Sequence, residues 1–168
     1  PIEDAETTWA HAGATKKFLK FLWNGAFILP PGGNNDAGVL GQVSGGLELA
    51  DQIAAGECDD PDALVVTVGS SCTISGLVVG IALARHLGIN AFKKKSLIIR
   101  GVVIHHSIAA LHRFNDSTKV LNALFASSMP GSITYSVTSA CKTLKRLGGP
   151  DILAESLAIL RNNVTLEA

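Results

Sequence analysis

Two short segments of the chain combine glycine with small polar side chains in a way that suits anion binding. The first covers residues 31–38 and the second covers residues 69–76. Each segment follows an apolar run typical of a strand and precedes a run typical of a helix. Because the first N–H groups of a helix lack intrahelical partners, such junctions can bind anions. The sequence therefore predicts ligand binding at these two junctions.

The second segment is the better candidate for binding a phosphate group. Its backbone N–H groups and three hydroxyls can converge on phosphate oxygens, and the dipole of the following helix favours a dianion there. It is not a P-loop, because no Lys-Ser/Thr follows the glycine, and it is not G-x-G-x-x-G. The predicted binding residues are Gly69, Ser70, Ser71, Cys72 and Thr73. The alternative is a tight strand-to-helix turn that holds no ligand.

Two other kinds of site are weaker alternatives. Ser71 or Cys72 could be a nucleophile on a strained turn, but the hydrolase motif G-x-S-x-G requires glycine at Thr73. The candidate metal ligands are His105, His106 and His112. Adjacent histidines point in different directions and no carboxylate cluster accompanies them, so capping or surface exposure is favoured and no metal is expected.

The elements that must position these segments alternate between helix and strand. We predict helices at residues 15–23, 37–55, 74–87, 106–125, 132–147 and 150–160, and strands at residues 26–29, 63–68 and 97–104. The last two strands are continuously apolar and β-branched, which is typical of parallel strands buried on both faces. Strand, helix and strand in this order predict a right-handed βαβ unit. The expected fold class is α/β, a parallel sheet with helices on both faces.

Composition narrows the function classes. The 168 residues are 47% hydrophobic and 17% charged, which is enough for a core and excludes disorder. Fourteen basic residues balance fourteen acidic ones, so nothing points to nucleic acid or an anionic membrane. We expect residues 1–168 to form a single domain that binds a small molecule or another protein.

Residues 63–84 contain no charged side chain, and this stretch is long enough to span a membrane. The polar residues at 69–73 interrupt this stretch, so a buried strand followed by a buried helix is the better interpretation, and no membrane span is predicted. Cys58, Cys72 and Cys141 are far apart and form no C-x-x-C pair. This pattern is typical of a reducing intracellular compartment, either the cytoplasm or an organelle matrix.

The paired segments resemble one branch of the fold-type-II pyridoxal-phosphate (PLP) enzymes. The stretch FILPPGGNNDAGVLGQVSGGLELADQ, followed by ALVVTVGSSCTISGLVVG, is similar to the D-cysteine desulfhydrase and 1-aminocyclopropane-1-carboxylate (ACC) deaminase branch. There a P-x-G-G-S-N-x-x-G turn precedes a helix, and a G-S-G-G-T-x-A-G-L loop binds the cofactor phosphate. The first motif is matched by Gly32, Gly33, Asn35, Gly38 and Gly41, with Leu47, Glu48 and Ala50 continuing it, and the second by Gly69, Ser70, Thr73, Gly76 and Leu77.

The resemblance implies part of a tryptophan-synthase-β-like PLP domain with a helical C-terminal part. It implies the cofactor-phosphate-binding portion of a PLP-dependent lyase or deaminase acting on small amino acids, with Gly69, Ser70, Ser71, Cys72 and Thr73 around the phosphate of pyridoxal phosphate.

This chain departs from the family pattern in two ways. Ser71 and Cys72 replace consecutive glycines, and their Cβ atoms can crowd a phosphate. No segment matches the family's Schiff-base lysine, its ring-contacting asparagine, its substrate serine or its closing segment, so no catalytic residue is predicted here. A non-catalytic degenerate homologue, a pseudoenzyme serving as a structural subunit, is therefore the alternative. A third hypothesis is a different phosphorylated ligand. A homo-oligomer or a larger complex is expected.

Overall fold

The protein is an α/β structure with a small parallel sheet. The computed structural model describes residues 31–94, 96–103 and 130–167. The elements within these ranges are a 3-10 turn (Pro31–Gly33), helix α1 (Asp36–Ala55), strand β1 (Ala63–Val68), helix α2 (Cys72–His86), strand β2 (Ile98–Val103), helix α3 (Pro130–Arg146), helix α4 (Leu153–Asn163) and strand β3 (Val164–Glu167). The predicted α/β class is confirmed.

The three strands lie in the order β1, β2, β3, and both pairs are parallel. Strands β1 and β2 are in register from Ala63 opposite Ile98 to Val68 opposite Val103. The parallel strand–helix–strand unit is thus confirmed, while its handedness stays a prediction. Strand β3 was not predicted, because only helices were expected beyond residue 105.

The described residues leave one face of the sheet uncovered, so they do not show the predicted burial of the strands on both faces. Along β1 exposed and covered residues alternate, and Val65 is 67% exposed. On β2 the side chains of Ile98 and Val102 are 39% and 37% exposed, whereas Ile99 is buried. The apolar run therefore predicted where β1 lies along the chain, but it did not predict which of its side chains are buried. Helices on the second face remain a prediction, since the described helices leave it uncovered.

Helix ends follow local capping chemistry. Helix α1 begins after Asn35, whose Oδ1 accepts a hydrogen bond from the Gly38 N–H at 2.8 Å. Helix α2 ends before Gly88, whose φ of 71° closes a Schellman turn. Helix α4 begins at Leu153, three residues after the predicted first residue, so Pro150 lies near the helix start.

Helix α2 is the centre of the core. It contacts α1, α3, α4 and β1, and its residues from Val78 to Ala84 are all buried. Helices α1 and α2 approach closely because glycines meet at their crossing: a Cβ on Gly46 would lie 3.1 Å from the Gly80 Cα. The second half of α2 therefore packs closely against the middle of α1.

No helix in the described part of the chain is long and apolar enough to cross a membrane. Residues 63–84 divide into β1, a loop and most of α2, which confirms the strand-then-helix interpretation. The predicted elements at 15–23, 26–29 and 106–125, together with His105, His106 and His112, lie outside the described residues.

Candidate functional site

The two glycine-rich segments contact each other at the N-terminal ends of α1 and α2. The Ser70 hydroxyl donates a hydrogen bond to the Gly32 carbonyl oxygen at 3.1 Å, and the Cys72 thiol lies 3.6 Å from the Gly33 carbonyl oxygen. Gly32 has a φ of 64°, and a Cβ there would lie 2.3 Å from the Ser70 Cβ. The structure thus brings together the two segments in which the sequence predicted ligand binding.

Ser71 occupies the N-cap position of α2 in a left-handed conformation, with a φ of 69°. Its side chain makes no capping hydrogen bond, and its buried Oγ has no hydrogen-bond partner among the described residues. The first-turn N–H groups of a helix also lack intrahelical partners. A non-glycine residue in this conformation costs about 1–2 kcal/mol. Ser71 therefore combines a strained backbone with an unpaired hydroxyl, at the positive end of the α2 dipole.

The Ser70 hydroxyl connects the loop to the first segment by a hydrogen bond. Its single proton is donated to Gly32, and the oxygen accepts a 3.4 Å hydrogen bond from the Cys72 N–H. In this arrangement it has no proton left for a ligand. Gly69 and Thr73 are exposed at the two ends of the loop.

Cys72 is buried, and burial raises the pKa of its thiol, so the side chain is neutral. A raised pKa suppresses the thiolate that a nucleophilic cysteine needs. In the part of the chain that the structure describes, no base lies within hydrogen-bond distance of the Ser71 hydroxyl. Neither residue is therefore activated as a nucleophile.

Three hydroxyl side chains of α3 form hydrogen bonds with residues of the first segment. The sequence did not lead us to predict these contacts. Ser139 Oγ and Thr143 Oγ1 each donate to a different oxygen of Asp36 at 2.6 Å. Ser136 Oγ donates to the Oδ1 of Asn34 at 3.1 Å. The signal was present, because hydroxyls three and four residues apart share one face of a helix. We call Ser136, Ser139 and Thr143 the hydroxyl ladder.

Asp36 is held as a carboxylate by this ladder. Hydrogen bonds from Ser139 and Thr143 hold the pKa of Asp36 below its ordinary value, burial opposes this, and Arg146 at 3.8 Å contributes a further lowering. The negative charge also lies in the first turn of α1, where the helix dipole favours it.

The chain resembles part of a deaminase. It is 35% identical over 85 residues to a Thermotoga maritima protein named "Putative 1-aminocyclopropane-1-carboxylate deaminase". The match covers 48% of this chain and 26% of that protein, so the chain spans about a quarter of the length of the relative that it matches. No family model matches the chain, and no solved structure does.

Several charged residues of the described ranges are engaged away from the loop. Lys94 pairs with Asp62 at 2.8 Å, and Lys145 pairs with Asp151 at 2.6 Å. Asp60 accepts hydrogen bonds from the N–H groups of residues 92 and 93, both at 3.0 Å. Residues 31–94, 96–103 and 130–167 contain no cluster of three His, Cys, Asp or Glu side chains that could hold a metal.

A separate cavity of about 520 Å³ lies between α3, α4 and β3. Its lining is mostly apolar, with Leu157, Leu160 and Leu166 among the contributors, and Thr134 and Arg161 as polar members. None of the loop residues lines it. We place the candidate site at the loop because the unpaired hydroxyl and helix terminus converge there.

Proposed function

We propose that Gly69, Ser70, Ser71, Cys72 and Thr73 hold the phosphate group of PLP. The chain would be the cofactor-phosphate-binding portion of a PLP-dependent lyase or deaminase acting on small amino acids, of the D-cysteine desulfhydrase or ACC deaminase kind, on a tryptophan-synthase-β-like fold. The observation that carries the proposal is the buried, unpartnered Ser71 hydroxyl at the N-terminus of α2. The similarity to the Thermotoga maritima protein of that name supports it.

The loop fits a phosphate on physical grounds. A dianion at the start of α2 would accept hydrogen bonds from first-turn N–H groups and would gain from the helix dipole. Rotation about the Cα–Cβ bond of Ser71 would turn its hydroxyl towards a phosphate oxygen and give it the partner that it lacks. Because the Cys72 thiol is neutral, it adds no negative charge beside the phosphate.

When bound, PLP supplies an electron sink for chemistry at the α-carbon of an amino acid. The residues of this chain would hold and orient its phosphate end. We assign no lysine of this chain to a covalent bond with the cofactor, because no segment of the sequence matches the family's Schiff-base lysine. Two of the described lysines, Lys94 and Lys145, are ion-paired away from the loop.

Replacement of Ser71 by alanine tests the proposal. We expect S71A to bind PLP and inorganic phosphate about tenfold more weakly, the loss that follows from one hydrogen bond to a charged group. S75A is the matched control, because Ser75 also carries a buried, unpartnered hydroxyl, one turn further along α2. Both variants should gain about 1 kcal/mol in free energy of unfolding, since each removes an unsatisfied polar group.

Affinity is measured by absorbance titration with PLP and by competition with inorganic phosphate, and stability by chemical denaturation. The proposal requires saturable binding by the wild-type chain and a loss in S71A that S75A does not show. No saturable binding of either compound would overturn it. Borohydride reduction followed by intact mass separates the two modes of binding, because only a covalent imine to a lysine is fixed by reduction.

A structural role in a larger assembly is the second candidate, and the open face of the sheet favours it. All-parallel sheets are ordinarily covered on both faces. Here Val65, Ile98 and Val102 are exposed on the same face. A degenerate homologue that kept the fold without catalysis would use this face to dock on a partner chain. Stable association without any PLP binding would favour this role.

A further inference from the structure

Asn34 connects helix α3 to the proposed phosphate loop. Its Nδ2 donates a hydrogen bond to the Ser70 carbonyl oxygen, and its Oδ1 accepts one from the Ser136 hydroxyl at 3.1 Å. We propose that Asn34 is a positioning residue, which fixes the peptide between Ser70 and Ser71 in the orientation that phosphate binding requires. This inference rests on the proposed function of the loop.

The hydrogen-bond chemistry fixes the orientation of the Asn34 amide. A carbonyl oxygen can only accept, so the atom of Asn34 that faces Ser70 must be Nδ2. The Oδ1 atom then faces Ser136, whose hydroxyl is able to donate. Ser136 is buried on α3, so water competes little for this contact. Asn34 is therefore held on one side by a helix of the core.

The hydrogen bond from Asn34 to the Ser70 carbonyl also orients the N–H group of Ser71. The peptide bond is planar and trans, so the Ser71 N–H points away from the Ser70 carbonyl oxygen and hence away from Asn34. Ser71 has a φ of 69°, which is a strained conformation for a residue with a Cβ. Rotation of the Ser70–Ser71 peptide would relieve that strain and redirect the N–H. The hydrogen bond from Asn34 opposes this rotation.

The side chain of Asn34 suits this bridge. Its amide offers a donor and an acceptor on separate atoms, so it can form both hydrogen bonds at once. The residue also lies in a turn that makes a second contact with the loop, from Ser70 Oγ to the Gly32 carbonyl. Asn34 thus adds a restraint on the carbonyl of the same residue whose hydroxyl is already engaged.

Substitution of neighbouring asparagines by aspartate tests the inference in the full chain. N34D keeps the side-chain shape but cannot donate to the Ser70 carbonyl. N35D adds the same charge in the same turn, and it keeps the oxygen that caps α1 at Gly38 N. We expect N34D to bind PLP and inorganic phosphate about tenfold more weakly than N35D does, as the loss of one hydrogen bond predicts.

Helix α3 supplies a second, charge-free pair of variants. S136A removes the donor to Asn34, and S139A removes an equivalent hydroxyl that contacts Asp36 instead. A positioning role predicts weaker phosphate binding in S136A and unchanged binding in S139A. A purely structural role of the hydroxyl ladder predicts lower unfolding stability in both variants, with equal affinities.

Hydrogen exchange of the ligand-free protein separates this inference from the proposed function. We expect peptides that cover residues 69–73 to exchange faster in N34D than in N35D, whether or not a ligand binds. Equal exchange and equal affinity in the two variants would overturn the positioning role while leaving phosphate binding intact. If the wild-type chain binds neither PLP nor phosphate, the proposed function fails and so does the assignment of Asn34 to ligand binding.

Discussion

Asp36 lies beside the candidate site, and its charge also contributes to the stability of the fold. Its pKa is lowered mainly by the hydroxyls of Ser139 and Thr143, and Arg146 adds to this. A carboxyl group whose pKa is lower in the folded state stabilises the protein above its unfolded-state pKa. That stability is lost as the pH falls below 3.8 and through the lower folded-state pKa. The contribution is modest, because the carboxylate is 39% exposed and solvent screens it.

The variant D36N should therefore show a flatter dependence of unfolding free energy on pH between about 5 and 2, the range in which a lowered carboxyl pKa acts. We expect it to lose less than about 1 kcal/mol at neutral pH, with part of the loss from the helix dipole. Denaturant unfolding across this range provides the measurement. D51N, which removes an exposed carboxylate of the same helix, is the matched control for the loss of one negative charge. A D36N curve as steep as the wild type would contradict the argument.

The sequence identified the residues of the loop but not what their side chains do. Gly69 to Thr73 stood out by composition, whereas the engagement of the Ser70 proton by Gly32 depends on a contact between residues 38 positions apart. The same holds for Asn34 and Ser136, which are 102 positions apart. Hydroxyl spacing along α3 pointed to one helix face, but only the packing of α3 on α1 shows which residues that face meets.

At the scale of elements, the contact between α1 and α2 depends on small residues. A Cβ on Gly76 would lie 2.2 Å from the Gln42 Cβ and 2.9 Å from the Val39 carbonyl oxygen. Because one of these atoms belongs to the backbone, the helices would have to move apart. We expect G76A to lower the free energy of unfolding by about 1–3 kcal/mol, the usual cost of overpacking.

G45A is the matched control for that experiment. Gly45 lies in α1, and a Cβ there meets nothing within 4 Å. Alanine is a better helix former than glycine, so G45A should raise the free energy of unfolding by about 0.5–1 kcal/mol. Thermal and denaturant unfolding of both variants would measure the two effects. Equal shifts of the same sign would mean that the Gly76 contact does not limit the approach of the helices.

The bounds of the elements were predictable where the local signal was strong. Strand β1 was placed correctly because an apolar, β-branched run lies between Asp62 and a glycine-rich loop. Strand β3 was missed because its four residues alternate with polar side chains and directly follow a helix. Its pairing with β2 depends on tertiary structure, and the local propensity of so short a segment does not predict it.

At the scale of the whole molecule, the sheet face that the described residues leave uncovered is a candidate contact surface. Its exposed apolar residues lie on adjacent strands, with Thr67 opposite Val102 and Val65 opposite Arg100 in the register. Arg100 and Glu167 form a 3.1 Å ion pair, so this surface combines apolar side chains with a balanced charge pair. Such a surface suits packing against a second copy of itself, because it brings no net charge to the contact.

We therefore expect the chain to self-associate through this face and V65K to weaken that association about tenfold or more, since burying an unpaired ammonium group is costly. Val65 is 67% exposed, so its replacement should change the unfolding free energy of the monomer by no more than about 0.5 kcal/mol. L87K is the matched control, because Leu87 is 59% exposed but lies at the end of α2, away from the sheet. Sedimentation equilibrium over a range of concentrations would measure all three proteins. If V65K associates as strongly as L87K and the wild type, the sheet face is not the contact. A wild-type chain that stays monomeric throughout would mean that the face is open to a different partner or to solvent.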